Sequence, residues 1–198
     1  GLGTTNHYSS PVQVGSLTNW KQVTITNTTA PRAMLAVKTD GTLWSWGDGT
    51  NGLTGQYFVT KSSPTQIGSL TNWSSVTAAE YTVFAIKTDG TLWAWGKPGD
   101  VGGSLGLNDL VARSSPTQVG LLTDWKMVTA GDYSTVAVKT DGTLWAWGVN
   151  TSGMLGLGTT NHYSSPVQVG SLTDWNIVSK NYTNSFFGLR TNGTLWTW

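Results

Sequence analysis

The sequence predicts an all-β protein built from β-propeller blades, each made of four antiparallel strands. The first observation is a repeat: pairs of tryptophans separated by one residue begin at Trp44, Trp93, Trp145 and Trp196, at spacings of 49, 52 and 51 residues. The second is that every clear pattern within a repeat is that of a strand, with no useful helical period. Short strands joined by glycine-rich connections every fifty or so residues are typical of propeller blades.

The strongest predicted element is a hairpin. In the first repeat, LAVKT (35–39) and TLWSW (42–46) flank Asp40-Gly41. A two-residue loop of this kind needs positive φ angles and so favours Asp-Gly or Asn-Gly. The same turn recurs at Asp89, Asp141 and Asn192, which predicts four equivalent hairpins.

Two further strands are predicted in each repeat, from segments such as PVQVG (11–15) and WKQVT (20–24). The motifs SSP and LT[ND]W recur in step with the hairpin, so each repeat contains three tryptophans. We therefore expect one repeat domain over residues 1–198, with approximate repeats at 1–47, 48–96, 97–148 and 149–198. The blades are expected to form part of a larger propeller or repeat assembly.

Composition narrows the range of functions. Charged residues make up 11% of the chain and the formal net charge is +1, so nucleic acid is not an expected partner. The absence of cysteine excludes disulfides and thiolate metal sites. No apolar run reaches the roughly 18 residues of a membrane span, so membrane insertion is not expected. An uncharged, threonine-rich and tryptophan-rich surface favours an extracellular location or the surface of a cell or virion.

The motifs together resemble one known repeat family. KTDGTLWAWG, the glycine-rich loop VNTSGMLGLGTT (149–160), SSPVQVG and a downstream W..V.AG are similar to the regulator of chromosome condensation repeat. The likeness is greatest to its tryptophan-rich bacterial and environmental form, and it covers the whole chain. It implies a propeller of four-stranded blades, usually seven of them, whereas this chain holds four units.

The chain also departs from that family. The inner strand often carries a histidine, but the matching segments here (79–86, 131–138 and 181–189) have none. The glycine-rich loop is intact only at 153–158 and differs at 47–56 and 96–108. The founding nuclear member's exchange activity on a small GTPase depends on surface loops that have no match here. The resemblance therefore implies the fold and not that activity.

The tryptophans fall into two groups by position. Those of the hairpins are expected to form the structural core between blades, because repeated aromatic residues usually fill the contacts between repeats. They are Trp44, Trp46, Trp93, Trp95, Trp145, Trp147, Trp196 and Trp198. Those at the junctions between loops and strands could be packing residues as well, and an exposed ligand platform is an alternative for them. They are Trp20, Trp73, Trp125 and Trp175.

Catalysis has little support in the sequence. The two histidines, His7 and His162, lie in an eighteen-residue stretch that occurs twice word for word, so they are expected to be loop residues and not a catalytic pair. The recurring aspartates are explained by the hairpin turn. Glu80 and Asp132 lie in corresponding connections of different repeats and need not be close. We expect no enzyme activity, no metal site and no cofactor.

Several asparagines match the acceptor pattern for N-glycosylation. The candidates are Asn27, Asn72, Asn150 and Asn181. A fifth match, Asn192, occupies the tight turn of the fourth hairpin, at the position of the aspartates. In a chain this rich in Asn, Ser and Thr, some of these matches are expected by chance.

Two functions from different classes remain open. In the first, the chain is a binding scaffold that holds a partner protein or a glycan with the variable loops at one rim. In the second, it is a structural subunit of an extracellular fibre or tandem array, with further copies of itself or further repeats as partners. Loop divergence favours the first function, and the duplicated eighteen residues favour the second.

Overall fold

A computed structural model describes residues 2–3, 7, 9–26, 32–180 and 185–198. Within them, fifteen strands form four antiparallel sheets, one for each blade. Blade 1 contains β1 (Trp20–Ile25), β2 (Ala33–Lys38), β3 (Leu43–Gly47) and β4 (Lys61–Gln66). Blade 2 contains β5 (Trp73–Ala78), β6 (Thr82–Lys87), β7 (Leu92–Gly96) and β8 (Arg113–Gln118). Blade 3 contains β9 (Trp125–Ala130), β10 (Ser134–Lys139), β11 (Leu144–Gly148) and β12 (Tyr163–Gln168). Blade 4 contains β13 (Trp175–Lys180), β14 (Phe186–Arg190) and β15 (Leu195–Thr197).

The blades confirm the predicted fold class, but they are out of phase with the sequence repeats. The predicted units end after the third strand of each sheet, whereas each blade continues through the glycine-rich loop into a fourth strand. The strand predicted at 11–15 is wrong, because residues 11–14 have no regular secondary structure. Their duplicate in β12 does form a strand, since it pairs with β11. In the described chain, residues 11–14 have no neighbouring strand with which to pair.

The predicted hairpin forms as expected in each blade. In blade 1, β2 and β3 pair with Ala36 opposite Trp44, and Gly41 in the connecting turn has a φ of 77°. A Cβ atom at Gly41 would also collide with the main-chain carbonyl of Thr71. Glycine is therefore required here for two reasons, its positive φ and the close approach of the chain that enters the next blade.

The hydrophobic core lies between the blades. At the first junction, Leu35 and Leu43 of blade 1 pack against Trp73 and Trp95 of blade 2. The next two junctions repeat this contact of an aliphatic face with a tryptophan face. The glycine-rich loop after the third strand adds one buried leucine to each junction. These residues are Leu53, Leu105 and Leu155.

The antiparallel topology gives the array two rims. The turns between second and third strands lie at one end, which we call the turn rim. The connections between first and second strands, and the glycine-rich loops between third and fourth, lie at the other end, which we call the loop rim. The described residues contain one helical segment, the 3-10 turn Thr50–Gly52, and no helix suited to crossing a membrane.

Candidate functional site

The second tryptophan of the hairpin in blades 2 and 3 joins that blade to the one before it. Trp46, Trp95 and Trp147 are buried. The Nε1 of Trp95 donates a hydrogen bond of 3.0 Å to the carbonyl of Leu53, and the Nε1 of Trp147 donates one of 2.9 Å to the carbonyl of Ser104. Both acceptors lie in the glycine-rich loop of the preceding blade. These indoles are structural groups and are not accessible to a ligand.

The first tryptophan of each hairpin lies nearer the surface. Trp44, Trp93 and Trp145 are half-buried, and Trp196 is 46% exposed although the sequence assigns it to the core. Each indole donates from Nε1 to a threonine hydroxyl, which in turn donates to the aspartate or asparagine of the turn. In blade 2 these bonds, from Trp93 to Thr91 and from Thr91 to Asp89, measure 2.9 and 2.7 Å. Trp196 is exposed because no further blade covers it in the described chain.

The burial of the junction tryptophans does not favour the alternative of an exposed ligand platform. Trp73, Trp125 and Trp175 are buried, and Trp20 is half-buried. Each of the four lies 5.9 Å from the first tryptophan of its own hairpin, in an edge-to-face arrangement. Trp198, at the other end of its hairpin, is half-buried and stacks on Phe186. The junction tryptophans thus pack within the blades and do not present an open aromatic face.

In blades 1 to 3, a buried lysine lies over the first tryptophan of the hairpin. The Nζ atoms of Lys38, Lys87 and Lys139 lie 3.7, 3.7 and 4.1 Å from the ring centres of Trp44, Trp93 and Trp145. Burial lowers the pKa of Lys87 below its ordinary value. Sequence reasoning missed these cation–π contacts, although the lysine that precedes every TDG motif was a visible signal.

The candidate glycosylation sites differ in accessibility. Asn150 is buried, and its amide nitrogen donates to the carbonyls of Thr159 and Asn161 while its oxygen accepts from the N–H of Leu155. It therefore organises the loop of blade 3 and cannot carry a glycan in the folded chain. Asn72 is half-buried. Asn27 and Asn181 lie outside the described residues.

The two histidines are in different places. His162 Nδ1 accepts a 2.9 Å hydrogen bond from the main-chain N–H of Asn150, so its role is in loop structure. His7 is exposed. Within the described ranges, no group of three or more His, Cys, Asp or Glu side chains could hold a metal ion.

The connections at the loop rim bring together charged and aromatic groups that the sequence did not require to be close. Tyr81 and Tyr133 stack with ring centres 6.4 Å apart, and the Lys180 ammonium lies 3.8 Å from Asp132. A hydrogen bond to Glu80 raises the pKa of Tyr81. Burial lowers the pKa of Lys180, while Asp132 and Glu80 act in the opposite direction.

The most exposed apolar segment on the loop rim is Tyr57, Phe58 and Val59, in the loop of blade 1. Tyr57 is 76% exposed and Phe58 is 56% exposed. Both have left-handed φ angles, 58° and 61°. At the position of Tyr57, blade 2 has Asn108 and blade 3 has Gly158, residue types that adopt this conformation readily. Among the loops described in blades 1 to 3, that of blade 1 is the one with an aromatic residue at this position.

Hydrogen bonds fix the backbone on both sides of these rings. The N–H of Tyr57 donates to the carbonyl of Ser114, as the N–H of Asn108 donates to Ser164 one blade later. The Thr54 hydroxyl donates to the carbonyl of Val59, and the Thr60 hydroxyl accepts from the N–H of Gly49. These hydrogen bonds hold the loop backbone in place while the rings of Tyr57 and Phe58 face the solvent.

A groove between blades 1 and 2 begins beside Tyr57. It has a volume of about 250 Å³ and carries no charged side chain. Its walls include Ile67 and Leu70 of blade 1 and Trp93 and Pro116 of blade 2. Together, the aromatic segment and the groove form an uncharged surface of the kind that receives apolar side chains.

Comparison with known proteins identifies the repeat. Residues 89–138 and 141–179 match the family model described as regulator of chromosome condensation (RCC1) repeat, and residues 126–153 match a second model of the same description. The chain is therefore similar to RCC1-like repeat proteins, and the matched stretch runs from residue 89 to residue 179. No curated protein matches it.

Solved structures support the same fold for the RCC1-like chain. Prp20p from Saccharomyces cerevisiae has a TM-score of 0.80 at 17% identity, over 96% of this chain and 48% of that one. Human WBSCR16 has a TM-score of 0.73 at 22% identity, over 90% of this chain and 47% of that one. The ectodomain of the Physcomitrella patens receptor kinase CR4 is more distant, with a TM-score of 0.57 at 12% identity over 92% of this chain and 42% of that one. The RCC1-like chain spans about half the length of these structures.

Proposed function

We propose that this RCC1-like chain is a non-enzymatic protein-binding scaffold that uses its loop rim, with Tyr57, Phe58 and Val59 as the main contact. Propellers of this family bind proteins: Prp20p is described by its binding to Gsp1p and histones, and yeast RCC1 has a structure bound to Kap60. Those partners belong to those proteins. For this chain the proposal concerns only the class of partner and the surface.

The observation that carries the proposal is the pair of exposed rings in a strained backbone. A non-glycine residue in the left-handed region costs about 1 to 2 kcal/mol relative to its preferred conformation. Because the rings of Tyr57 and Phe58 are exposed, hydrophobic burial offsets little of this conformational cost. Strain that the fold itself does not need is characteristic of functional sites. Asn108 shows that a less strained residue fits the same position of the repeat.

The chemistry of the surface indicates an uncharged, apolar partner segment. The groove beside Tyr57 is lined by no charged side chain, so it offers no ion-pair partner to a charged residue. Aromatic residues held on a rigid loop lose little side-chain entropy on binding, which makes them effective anchors at protein interfaces. A glycan that stacks on the same rings is the alternative ligand.

Substitutions that copy blade 2 test the proposal. We expect Tyr57→Asn to raise the free energy of unfolding by about 0.5 to 1 kcal/mol, since asparagine tolerates the left-handed region. The same change should weaken capture of a partner protein by at least about tenfold, the usual loss at an interface hot spot. Leu121→Asn is the matched control, because Leu121 is 91% exposed at the turn-rim end of blade 2. Loss of stability without loss of binding would contradict the proposal.

A second role, as a structural subunit of a repeat assembly, is favoured by a different observation. Apolar residues that are buried at the three internal junctions are exposed on the outer faces of blades 1 and 4. Such faces are stabilised by contact with another repeat. An extracellular or surface location is part of this proposal, and fractionation of the source cells tests it.

A further inference from the structure

One hydrogen bond joins the start of the glycine-rich loop of blade 3 to its end. The N–H of Asn150, two residues after β11, donates a 2.9 Å hydrogen bond to Nδ1 of His162, the residue before β12. Asn150 is fully buried, so its N–H cannot turn to bulk water and depends on this acceptor. We call this contact the loop clasp.

The other loops show that the loop clasp answers a need of the backbone. In blade 1 the equivalent N–H is that of Gly49, and it donates a 3.1 Å hydrogen bond to the hydroxyl of Thr60. In blade 2 the equivalent residue is Pro98, which has no N–H, and the acceptor position is Ala112, which has no acceptor in its side chain. The positions are equivalent because in each blade the glycine that ends the third strand lies opposite the first residue of the fourth. An acceptor side chain is therefore present in the two loops whose N–H needs one.

A histidine makes this hydrogen bond depend on pH, whereas a threonine does not. Nδ1 of a histidine accepts only while the imidazole is neutral and carries its proton on Nε2. The imidazolium has a proton on both nitrogens and cannot accept. Histidine changes charge near pH 6.5, so the hydrogen bond to His162 is present above that range and is lost as the pH falls through it.

The surroundings of His162 also contain a partner for its charged form. His162 and Asp109 of the blade 2 loop line one cavity of about 310 Å³, and the four other lining residues are uncharged. Asp109 lies 2.6 Å from Arg113, with which it forms an ion pair. An imidazolium at this position is attracted by the Asp109 carboxylate. Each protonation state of the ring therefore has its own partner, one in blade 3 and one in blade 2.

Among the described groups around the loop clasp, His162 is the one expected to change charge between about pH 5 and 7. Residues 149–161 contain no ionisable side chain, and Tyr163, which follows His162, is a phenol. The other charged groups of the blade 2 loop, Lys97 and Asp100, lie 3.5 Å apart and pair with each other. Carboxylates, ammonium groups and guanidinium groups keep their charge in this range.

We propose that His162 is a pH-sensitive clasp, which holds the blade 3 loop closed by accepting from Asn150 and releases it on protonation, when the ring turns towards Asp109. The N–H of the buried Leu155 donates to the side chain of Asn150, so the loop clasp also supports the leucine that this loop places between blades 3 and 4. Mild acid should therefore loosen the loop of blade 3 and leave the loop of blade 1, closed by Thr60, unchanged. This device is independent of the binding surface proposed on blade 1.

Amide hydrogen exchange tests the loop clasp in the parent chain. The rates are converted to protection factors, which removes the intrinsic pH dependence of exchange. Between about pH 7.5 and about pH 5, we expect the protection factor of the Asn150 N–H to fall by at least about tenfold, equivalent to about 1.4 kcal/mol. The Gly49 N–H is the internal control, because its acceptor does not titrate, and its protection factor should change by less than about twofold.

Substitutions that copy the other blades should remove the pH dependence in opposite ways. His162→Thr copies blade 1 and should keep Asn150 protected at both pH values. His162→Ala copies the acceptor position of blade 2 without its proline, so Asn150 should be poorly protected at both. His7→Asn removes the other histidine of the sequence and should behave like the parent chain.

The outcomes decide the role of His162. A pH-dependent loss of protection at Asn150 in the parent chain and in His7→Asn, absent from both His162 variants, supports the clasp. An unchanged protection factor at Asn150 in acid overturns it, as does an equal loss in His162→Thr or the disappearance of the effect in His7→Asn. Equal losses at Gly49 and Asn150 would show a general loosening of the chain and would also overturn it.

Discussion

The indole Nε1 of Trp147 in blade 3 donates a 2.9 Å hydrogen bond to the main-chain carbonyl of Ser104 in the loop of blade 2. This contact makes the glycine-rich loop part of the next blade's core. Trp147 is fully buried, whereas its neighbour Trp145 is half-buried against Lys139. We therefore expect Trp147 to contribute more than Trp145 to the free energy of unfolding.

Alanine substitutions should reveal that difference. We expect Trp147→Ala to lower the free energy of unfolding by about 3 to 5 kcal/mol, the usual cost of deleting a buried aromatic ring. Trp145→Ala should cost about 2 kcal/mol, because less of its surface is buried. Urea denaturation of both variants measures the two values. Equal costs, or the reverse order, would refute the burial assignment.

Glycine substitutions in the hairpin turns should separate backbone strain from steric collision. Gly142 and Gly193 occupy the same turn position, with φ angles of 79° and 83°. A Cβ at Gly142 would meet the carbonyl of Thr173, whereas a Cβ at Gly193 would meet nothing within 4 Å. We expect Gly193→Ala to cost about 1 to 2 kcal/mol from conformation alone. Gly142→Ala should lower the free energy of unfolding by clearly more, because the collision adds to the conformational cost. Thermal melting measures both variants, and equal decreases in melting temperature would contradict the close approach of Thr173 to Gly142.

The hairpin aspartates should make the chain sensitive to acid. Hydrogen bonds from Thr42 hold the pKa of Asp40 below its ordinary value of 3.8, and Thr91 and Thr143 do the same for Asp89 and Asp141. A carboxyl whose pKa is lowered by folding stabilises the chain above its unfolded pKa, and this contribution is lost as the pH falls through the folded pKa. Stability should therefore fall below about pH 4.

Replacing all three aspartates with asparagine tests this assignment. Asn192 shows that asparagine can make the same turn, since its oxygen accepts from the N–H and hydroxyl of Thr194. We expect the triple variant to fold and to have a flatter pH dependence of stability between about pH 2 and 4. Urea midpoints measured across that range give the comparison, and an unchanged acid transition would show that other groups cause it.

The buried lysines should contribute through their contacts with indole rings. Lys139 Nζ lies 4.1 Å from the ring centre of Trp145 and 3.5 Å from Asp124. We expect Lys139→Met to cost about 1 to 2 kcal/mol, the range for a partly desolvated cation–π contact. Lys126→Met is the control, because Lys126 is exposed and should change stability by less than about 0.5 kcal/mol. If Lys139→Met leaves the free energy of unfolding unchanged, the positive charge of Lys139 has no net effect on stability.

The fold could be predicted from the sequence because its signals are local and repeated. Asp-Gly turns and alternating strands each depend on neighbours a few residues away, and four copies made the pattern clear. The prediction of a strand at 11–15 was wrong because strand formation there depends on a partner strand, which a local sequence pattern does not reveal. The exposure of Trp196 could not be predicted either, since it depends on what covers blade 4.

The candidate site was predictable only in part. Variation of the loop at 47–56 favoured variable loops at one rim as the binding surface, but the choice of Tyr57 and Phe58 for the proposal depends on φ angles that the sequence does not state. Comparison of the three loops would have found the signal, because an aromatic residue replaces Asn108 and Gly158 at one position. The junction tryptophans were assigned as a platform alternative because their edge-to-face packing depends on the folded blade.

Site-specific photocrosslinking tests the binding surface most directly. A benzophenone amino acid would replace Phe58 on the loop rim in one sample and Leu121 near the turn rim in another, and each chain would be irradiated in an extract of its source cells. We expect a protein adduct of defined mass from position 58, competed by the unlabelled parent chain and not by Tyr57→Asn, and none from position 121. Equal labelling at both positions, or no competable protein adduct at position 58, would contradict the loop rim as a protein-binding surface.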